Sequence, residues 1–237
     1  MSFSPTRSLA AAAGLAMATA SLAACAPSSS AHGLAVVATT TQVCDYVTQI
    51  AARSADISLD KTDAAGKSSH VGAPADGAAL TMSLTCLLAP NASAHEHEMT
   101  PAQTSALAQA DVMAVSGVDL EHFLDDAVVS SGFKGRMIVT SGVLTAADID
   151  NPGTPDPEGA YTIDRGSERV DVAPWPFPPE EAGEEPEFRF DPHVWTSPKG
   201  ARVQIANLGA GLAAAAPDAA SSINAATASY LEDIDAL

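Results

Sequence analysis

The sequence predicts an α/β fold: a parallel four-stranded sheet flanked by helices. Two patterns carry that reading. Short apolar runs rich in β-branched residues and bounded by turn formers suit strands buried on both faces. Between them lie longer segments with apolar residues at helical spacing, and parallel strands need such crossovers.

Leu34-Ala35-Val36-Val37-Ala38-Thr39 is the first strand, and Gln42 to Ala52 follows as a helix with Val43, Tyr46, Val47 and Ile50 on one face. Lys61 to Gly77 is rich in Gly, Ser, Asp and Ala without periodicity, so it reads as a mobile loop with a solvated His70. Ala79 to Leu88 is the second strand. Thr100-Pro101-Ala102-Gln103 starts a helix, with Thr as cap, Pro in the first turn and Gln reaching back; this helix ends near Ala110. Asp111 to Ser116 is the third strand, Asp119 to Val129 a helix, and Arg136 to Thr140 the fourth strand. The alternation stops at Asp150. From there to Asp191 the chain is proline-rich and acidic, around Glu180-Glu181-Ala182-Gly183-Glu184-Glu185, and reads as an irregular connection with a hairpin near Tyr161 to Val172. Ser197-Pro198 opens a helix to Ala216, and Pro217 opens another that continues at Leu237.

The first residues read as a processing segment. Arg7 gives a positive start, Leu9 to Leu22 is an apolar run of signal-peptide length, and Leu22-Ala23-Ala24-Cys25 ends it with small residues and a cysteine. Residues 1–24 are therefore expected to be a signal peptide, Cys25 the lipidation site, and 25–33 a lipidated cysteine with a flexible tether. No later segment is long and apolar enough to span a bilayer. About 205 residues remain after the tether, enough for one large domain or two small ones. With 29 acidic against 11 basic residues and a net charge of −18, the chain is unsuited to nucleic acid or anionic lipid. Cys44 and Cys86 leave two readings open, a disulfide in an oxidising compartment or a pair of buried thiols; neither lies in C-x-x-C.

Two histidine stretches carry the chemistry, His95-Glu96-His97-Glu98-Met99-Thr100-Pro101 and Asp191-Pro192-His193-Val194-Trp195. Each sets an imidazole beside carboxylates just before a helix, which is the composition of a divalent-metal site. In extended backbone His95 and His97 share one face, and Glu96 and Glu98 the other, so a complete shell needs a second segment, and His193 supplies it. The competing reading of His193 is an imidazole hydrogen-bonded to a carbonyl. Glu98 and His97 are auxiliary candidates. Glu121, beside His122, is either a carboxylate that orients a ligand imidazole or a first-turn glutamate favoured by the helix dipole.

These residues form an ordered set: Val37-Ala38-Thr39-Thr40; His95-x-x-Glu98-x-Thr100-Pro101; Ala110-Asp111-Val112 through Gly117 and Glu121; Asp191-Pro192-His193-Val194-Trp195 with Pro198; and Pro217 onward to Tyr230. On that set the chain resembles the substrate-binding lipoproteins of zinc and manganese ABC transporters, the zinc-uptake or adhesin-type solute-binding family. The resemblance implies that His95 and His193 are metal ligands. His97 stands where the family often has tyrosine, and Met99 where it has proline. It also implies two α/β lobes joined by a long helix, with the remaining ligands, a histidine or glutamate and an aspartate, in the second lobe. Residues 34–216 would be the metal-binding lobe, containing a mobile loop at 60–78 and the acidic connection at 150–190. Residues 217–237 would start the interlobe helix, with the second lobe missing from a truncated chain.

The implied function is capture of a divalent transition metal, Zn2+ with Mn2+ as the alternative, and its delivery to an ABC permease. The chain would be a monomer, extracytoplasmic, held to the cell membrane by its lipid alone and free of nucleic acid. Two other readings remain. A secreted zinc hydrolase would use Glu96 or Glu98 as general base, but the sequence lacks H-E-x-x-H. A surface adhesion protein would bind metal incidentally.

Overall fold

Successive side chains of the central strands point to opposite faces of one sheet, and both faces are buried, which divides the molecule into layers. The computed structural model describes residues 1, 33–153, 159–179 and 183–237. The expected signal peptide, Cys25, nearly all of the tether, and Glu180 and Glu181 of the acidic patch lie outside the described residues. The described strands are β1 (Leu34–Ala38), β2 (Ile57–Thr62), β3 (Ser68–Gly72), β4 (Leu80–Cys86), β5 (Val112–Val115), β6 (Arg136–Val139) and β7 (Thr162–Asp164). The helices are α1 (Thr41–Ala52), α2 (Pro101–Ala108), α3 (Leu124–Ser131), α4 (Ala146–Asp150), α5 (Pro198–Ala215) and α6 (Ala220–Asp235).

The strands form one sheet in the order β3-β2-β4-β1-β5-β6-β7, parallel except where β3 runs antiparallel to β2. Leu34, Val36 and Ala38 of β1, with Val112 and Ala114 of β5, point into one apolar layer shared with α1, α5 and α6. Val37, Met113 and Val115 point the opposite way, against Leu107 of α2 and Ala127 of α3. Helices thus cover both faces, and the strands are apolar on both because neither face meets water. Burying one such side chain contributes about 1.5–3 kcal/mol.

Local chemistry fixes the elements near the carboxyl edge of the sheet. Thr40 caps α1, its hydroxyl accepting from Val43 N at 3.2 Å, a contact worth about 1 kcal/mol. Cys44 of α1 is joined by a disulfide to Cys86 at the end of β4, with Cα atoms 5.6 Å apart. Thr100 and Gln103 form a capping box at α2, and Gln103 Nε2 donates onward to Leu87 O at 2.7 Å. Both ends of the loop between β4 and α2 are thereby tied down. Gln204 and Asn207 of α5, both buried, bond to strand ends: Gln204 Nε2 to Ser116 Oγ and Thr140 Oγ1, and Asn207 Nδ2 to the carbonyls of Thr140 and Glu168.

The α/β class holds, and four local expectations are corrected. The sheet has seven described strands rather than four. Much of the stretch expected to be a mobile loop, 60–78, is the β2–β3 pair, joined across Asp60 and His70 and at Leu59 and Val71. The segment 161–172 is not a hairpin: Thr162–Asp164 extends the sheet parallel to β6. The helix expected from Asp119 starts at Leu124, because Gly117, Val118 and Asp119 all adopt positive φ (89°, 59° and 56°) and cannot enter a right-handed helix. Among the described residues no helix is long and apolar enough to cross a membrane.

Candidate metal centre

The loops that follow β1, β4 and β5 and the segment preceding α5 meet at the carboxyl edge of the sheet, where β1 lies between β4 and β5 and the connections leave for opposite faces. Open parallel sheets bind ligands at such a switch point. A cleft of about 180 Å3 lies there, lined by Thr40, Gln42, Ser93, His95, His193 and Trp195 among others.

His95 belongs to the loop after β4. Its Nδ1 lies 3.2 Å from the carbonyl of Leu120, so the Nδ1–H tautomer satisfies that acceptor and leaves the Nε2 lone pair free. His193 is held differently. Asp191 Oδ1 accepts from the His193 backbone N–H at 3.0 Å and lies 2.8 Å from His193 Nδ1. Again Nδ1 is engaged and Nε2 is not. The two ring centres are 5.8 Å apart and nearly perpendicular. Metal-ligating histidines characteristically direct their second nitrogen to a carbonyl or carboxylate in this way.

Burial pushes the His95 imidazole below its usual range; the Glu187 carboxylate partly opposes that shift, and His122 and His193 reinforce it. Burial thereby favours the neutral imidazole, the form that ligates a metal. The net charge of −18 favours cations around the whole molecule.

The loop carrying the Leu120 carbonyl is itself braced. Val118 is β-branched and sits at a φ of 59°, a costly conformation for such a residue. Val118 N donates to Val143 O, Asp119 N to Leu144 O, and Asp119 Oδ2 accepts from Ala146 N. Glu121, fully buried, accepts from Thr39 Oγ1 at 2.6 Å, Ser116 N at 2.6 Å and Gly117 N at 3.0 Å.

The other candidate residues divide clearly. Glu121 spends its acceptors on Thr39, Ser116 and Gly117, and none of these bonds reaches an imidazole. It secures the loop that positions Leu120. His97 does not join His95: its ring packs edge-on against Phe123 at 4.8 Å, burial lowers its pKa, and its Nε2 is buried without a hydrogen-bond partner among the described residues. Glu98 is exposed. His70 has both nitrogens occupied, by Asp60 at 3.0 Å and by Ala73 O at 2.9 Å, so it has no lone pair to offer.

Two further groups border the histidines. His122, exposed on the loop after β5, has its ring 5.8 Å from that of His95. Phe188, 4 % exposed, packs on His95 at 4.7 Å and on His122 at 5.3 Å. Phe188 arrives on a short antiparallel ribbon in which Trp175 N donates to Arg189 O and Asp191 N to Ala173 O. Trp175 stacks on His193 and meets Phe188 edge-on. Sequence reasoning missed these aromatic walls because they lie in the acidic, proline-rich segment that has no periodicity. Leu120 was missed because its contribution is a backbone carbonyl.

The sequence matches, over residues 36–237, the model of a family described as zinc-uptake complex component A, periplasmic. The structure is similar to that of Zn(II)-bound AdcA from Streptococcus pneumoniae, with a TM-score of 0.53 and 18% identity over 86% of this chain and 31% of that one. It is also similar to the metal-dependent lipoprotein YcdH from Bacillus subtilis, with a TM-score of 0.51 and 17% identity over 85% of this chain and 52% of that one. A zinc-bound deletion mutant of ZnuA matches with a TM-score of 0.53 and 15% identity, over 86% of this chain and 55% of its own. At these identities the likeness is one of fold. The chain spans between 31% and 55% of the length of these three proteins.

Proposed function

The chain belongs to the zinc-uptake complex component A family, and from that premise we propose that it captures zinc outside the cytoplasm and passes it to an ABC permease. Capture of a metal solute is the role of the family; the choice of zinc over manganese and the delivery step are the proposal. One observation carries it. His95 and His193 each have Nδ1 held by an acceptor while Nε2 stays free, with their rings 5.8 Å apart at one cleft.

In this reading His95 and His193 are the ligands of the transported ion. Imidazole suits zinc, whereas manganese prefers harder oxygen donors. In the two-lobed arrangement that the resemblance implies, further ligands come from a second lobe, and parting the lobes releases the ion. The chemistry is coordination and transfer, and no bond of the cargo is broken. Cys25 would hold the protein to the membrane by its lipid.

Calorimetric titration of the chain with zinc and with manganese, beside His95→Ala and His193→Ala, tests the proposal. Saturable binding that favours zinc and is lost in both variants is expected. Zinc binding that survives removal of both imidazoles would overturn the site, and preference for manganese would overturn the choice of metal.

A further inference from the structure

We propose that His122 is a third metal-ligating imidazole of this lobe, so that His95, His122 and His193 together take a borderline divalent cation such as zinc. The inference rests on the reading of His95 and His193 as ligands.

The distances fit. A zinc–imidazole bond of about 2 Å puts the metal about 3 Å from the ring centre, so two imidazoles sharing a tetrahedral ion have centres about 5 Å apart. His95 stands 5.8 Å from His193 and 5.8 Å from His122. His193 and His122 are therefore each within about 1 Å of the separation from His95 that a shared ion needs.

The loop that presents His122 also holds His95 in place. Leu120 O accepts from His95, and Glu121 pins the intervening backbone through three hydrogen bonds. His122 thus starts from a backbone fixed relative to His95, while its ring is exposed and has no hydrogen-bond partner among the described residues. As the side chains stand, no three His, Cys, Asp or Glu groups among the described residues meet at one ion position. Closing the set requires the His122 ring to turn, and a solvent-exposed ring without a hydrogen bond turns at little cost. Phe188 and Trp175 wall the three rings on the ribbon side. Such walls exclude water and strengthen electrostatic contacts with a bound cation.

Three imidazoles from one lobe make that lobe selective by itself, because nitrogen donors favour zinc over manganese whatever another segment adds. The test is zinc competition against a chromophoric chelator for the wild-type chain, His122→Ala, His95→Ala and His193→Ala, with cobalt(II) absorption as a probe of coordination and zinc-induced shifts of the His122 ring resonances by NMR. His122→Ala is expected to keep its melting temperature and to lose zinc affinity by more than the roughly 10–100-fold that an outer orienting partner contributes. Its cobalt spectrum should change, and the His122 resonances of the wild type should shift on zinc addition. Wild-type zinc affinity and cobalt spectrum in His122→Ala, with binding lost in His95→Ala, would overturn the third ligand and leave the pair standing. Unchanged binding in all three variants, or none in the wild type, would overturn both readings.

Discussion

One oxygen of Asp191 holds His193 at two points, accepting from its backbone N–H at 3.0 Å and lying 2.8 Å from its Nδ1. The proline between them restricts the backbone that makes this reach possible. The i, i+2 spacing in Asp-Pro-His therefore fixes both the tautomer and the direction of Nε2.

Asp191→Asn is predicted to weaken zinc binding by about 10–100-fold without unfolding the chain. The amide can keep the backbone contact only by presenting its oxygen, and it gives up the carboxylate charge that favours an Nδ1–H pointing toward it. Replacing Asp60, which holds His70 in a similar contact, should leave zinc affinity unchanged. Competition titrations of Asp191→Asn and Asp60→Asn beside wild type check this, and equal affinity in all three would remove Asp191 from the site.

Glu121 sets two effects against each other. Burial raises its pKa, while the donors Thr39, Ser116 and Gly117 pull it down, and burial is the larger. A carboxyl whose folded pKa is raised stabilises the fold below the unfolded value, about 4.3, and that contribution is lost as pH rises through the folded value. Compared with Glu121→Gln, which does not titrate, the wild-type chain should lose relative stability on going from pH 4.5 to pH 7. The slope is at most about 1.4 kcal/mol per pH unit. Urea unfolding of both proteins across that range measures it. The opposite slope would mean that the three donors outweigh desolvation.

Gly211 of α5 faces Ile138 of β6. A Cβ at this position would stand 2.6 Å from Ile138 Cδ1 and 2.8 Å from its Cγ1, and Ile138 is fully buried. Helix propensity alone favours Gly211→Ala by about 1 kcal/mol. Overpacking a filled core costs about 1–3 kcal/mol, and at so close an approach that cost outweighs the gain in propensity. Gly211→Ala should therefore melt below wild type by a few degrees, and a higher melting temperature would show that Ile138 can yield.

The central sheet was legible because β1, β5 and most of β6 are continuous apolar runs buried on both faces, while β4 alternates Leu80, Met82, Leu84 and Cys86 with Thr81, Ser83 and Thr85. β3 was not, since His70, Ser68 and Ser69 are exposed, and an edge strand wet on both sides carries no period-2 signal. β7, with three residues, is too short to show one. Leu120 and Phe123 have helical spacing yet are buried from a loop, where backbone at positive φ overrides the pattern. Of the candidate site, His95 and His193 stood out by residue type and context. The Leu120 carbonyl leaves no trace in its side chain, and His122 and Phe188 come against the His95 ring only through the tertiary fold.

Cys44 and Cys86 close a separation of 42 residues that contains β2, β3 and most of β4. In the chain-entropy account a loop of that length gives about 4 kcal/mol, by restricting the unfolded chain. The bond also anchors the first turn of α1 to the strand from which the His95 loop departs. Reduction, or the double change to alanine, should lower unfolding free energy by about 2–4 kcal/mol, with zinc affinity falling less than in His95→Ala. Denaturant unfolding with and without reductant, paired with zinc titration of the reduced folded protein, separates the two effects. Equal stability in both redox states would mean that core packing around Val43, Val47 and Leu84 already holds α1 against β4 without the covalent link.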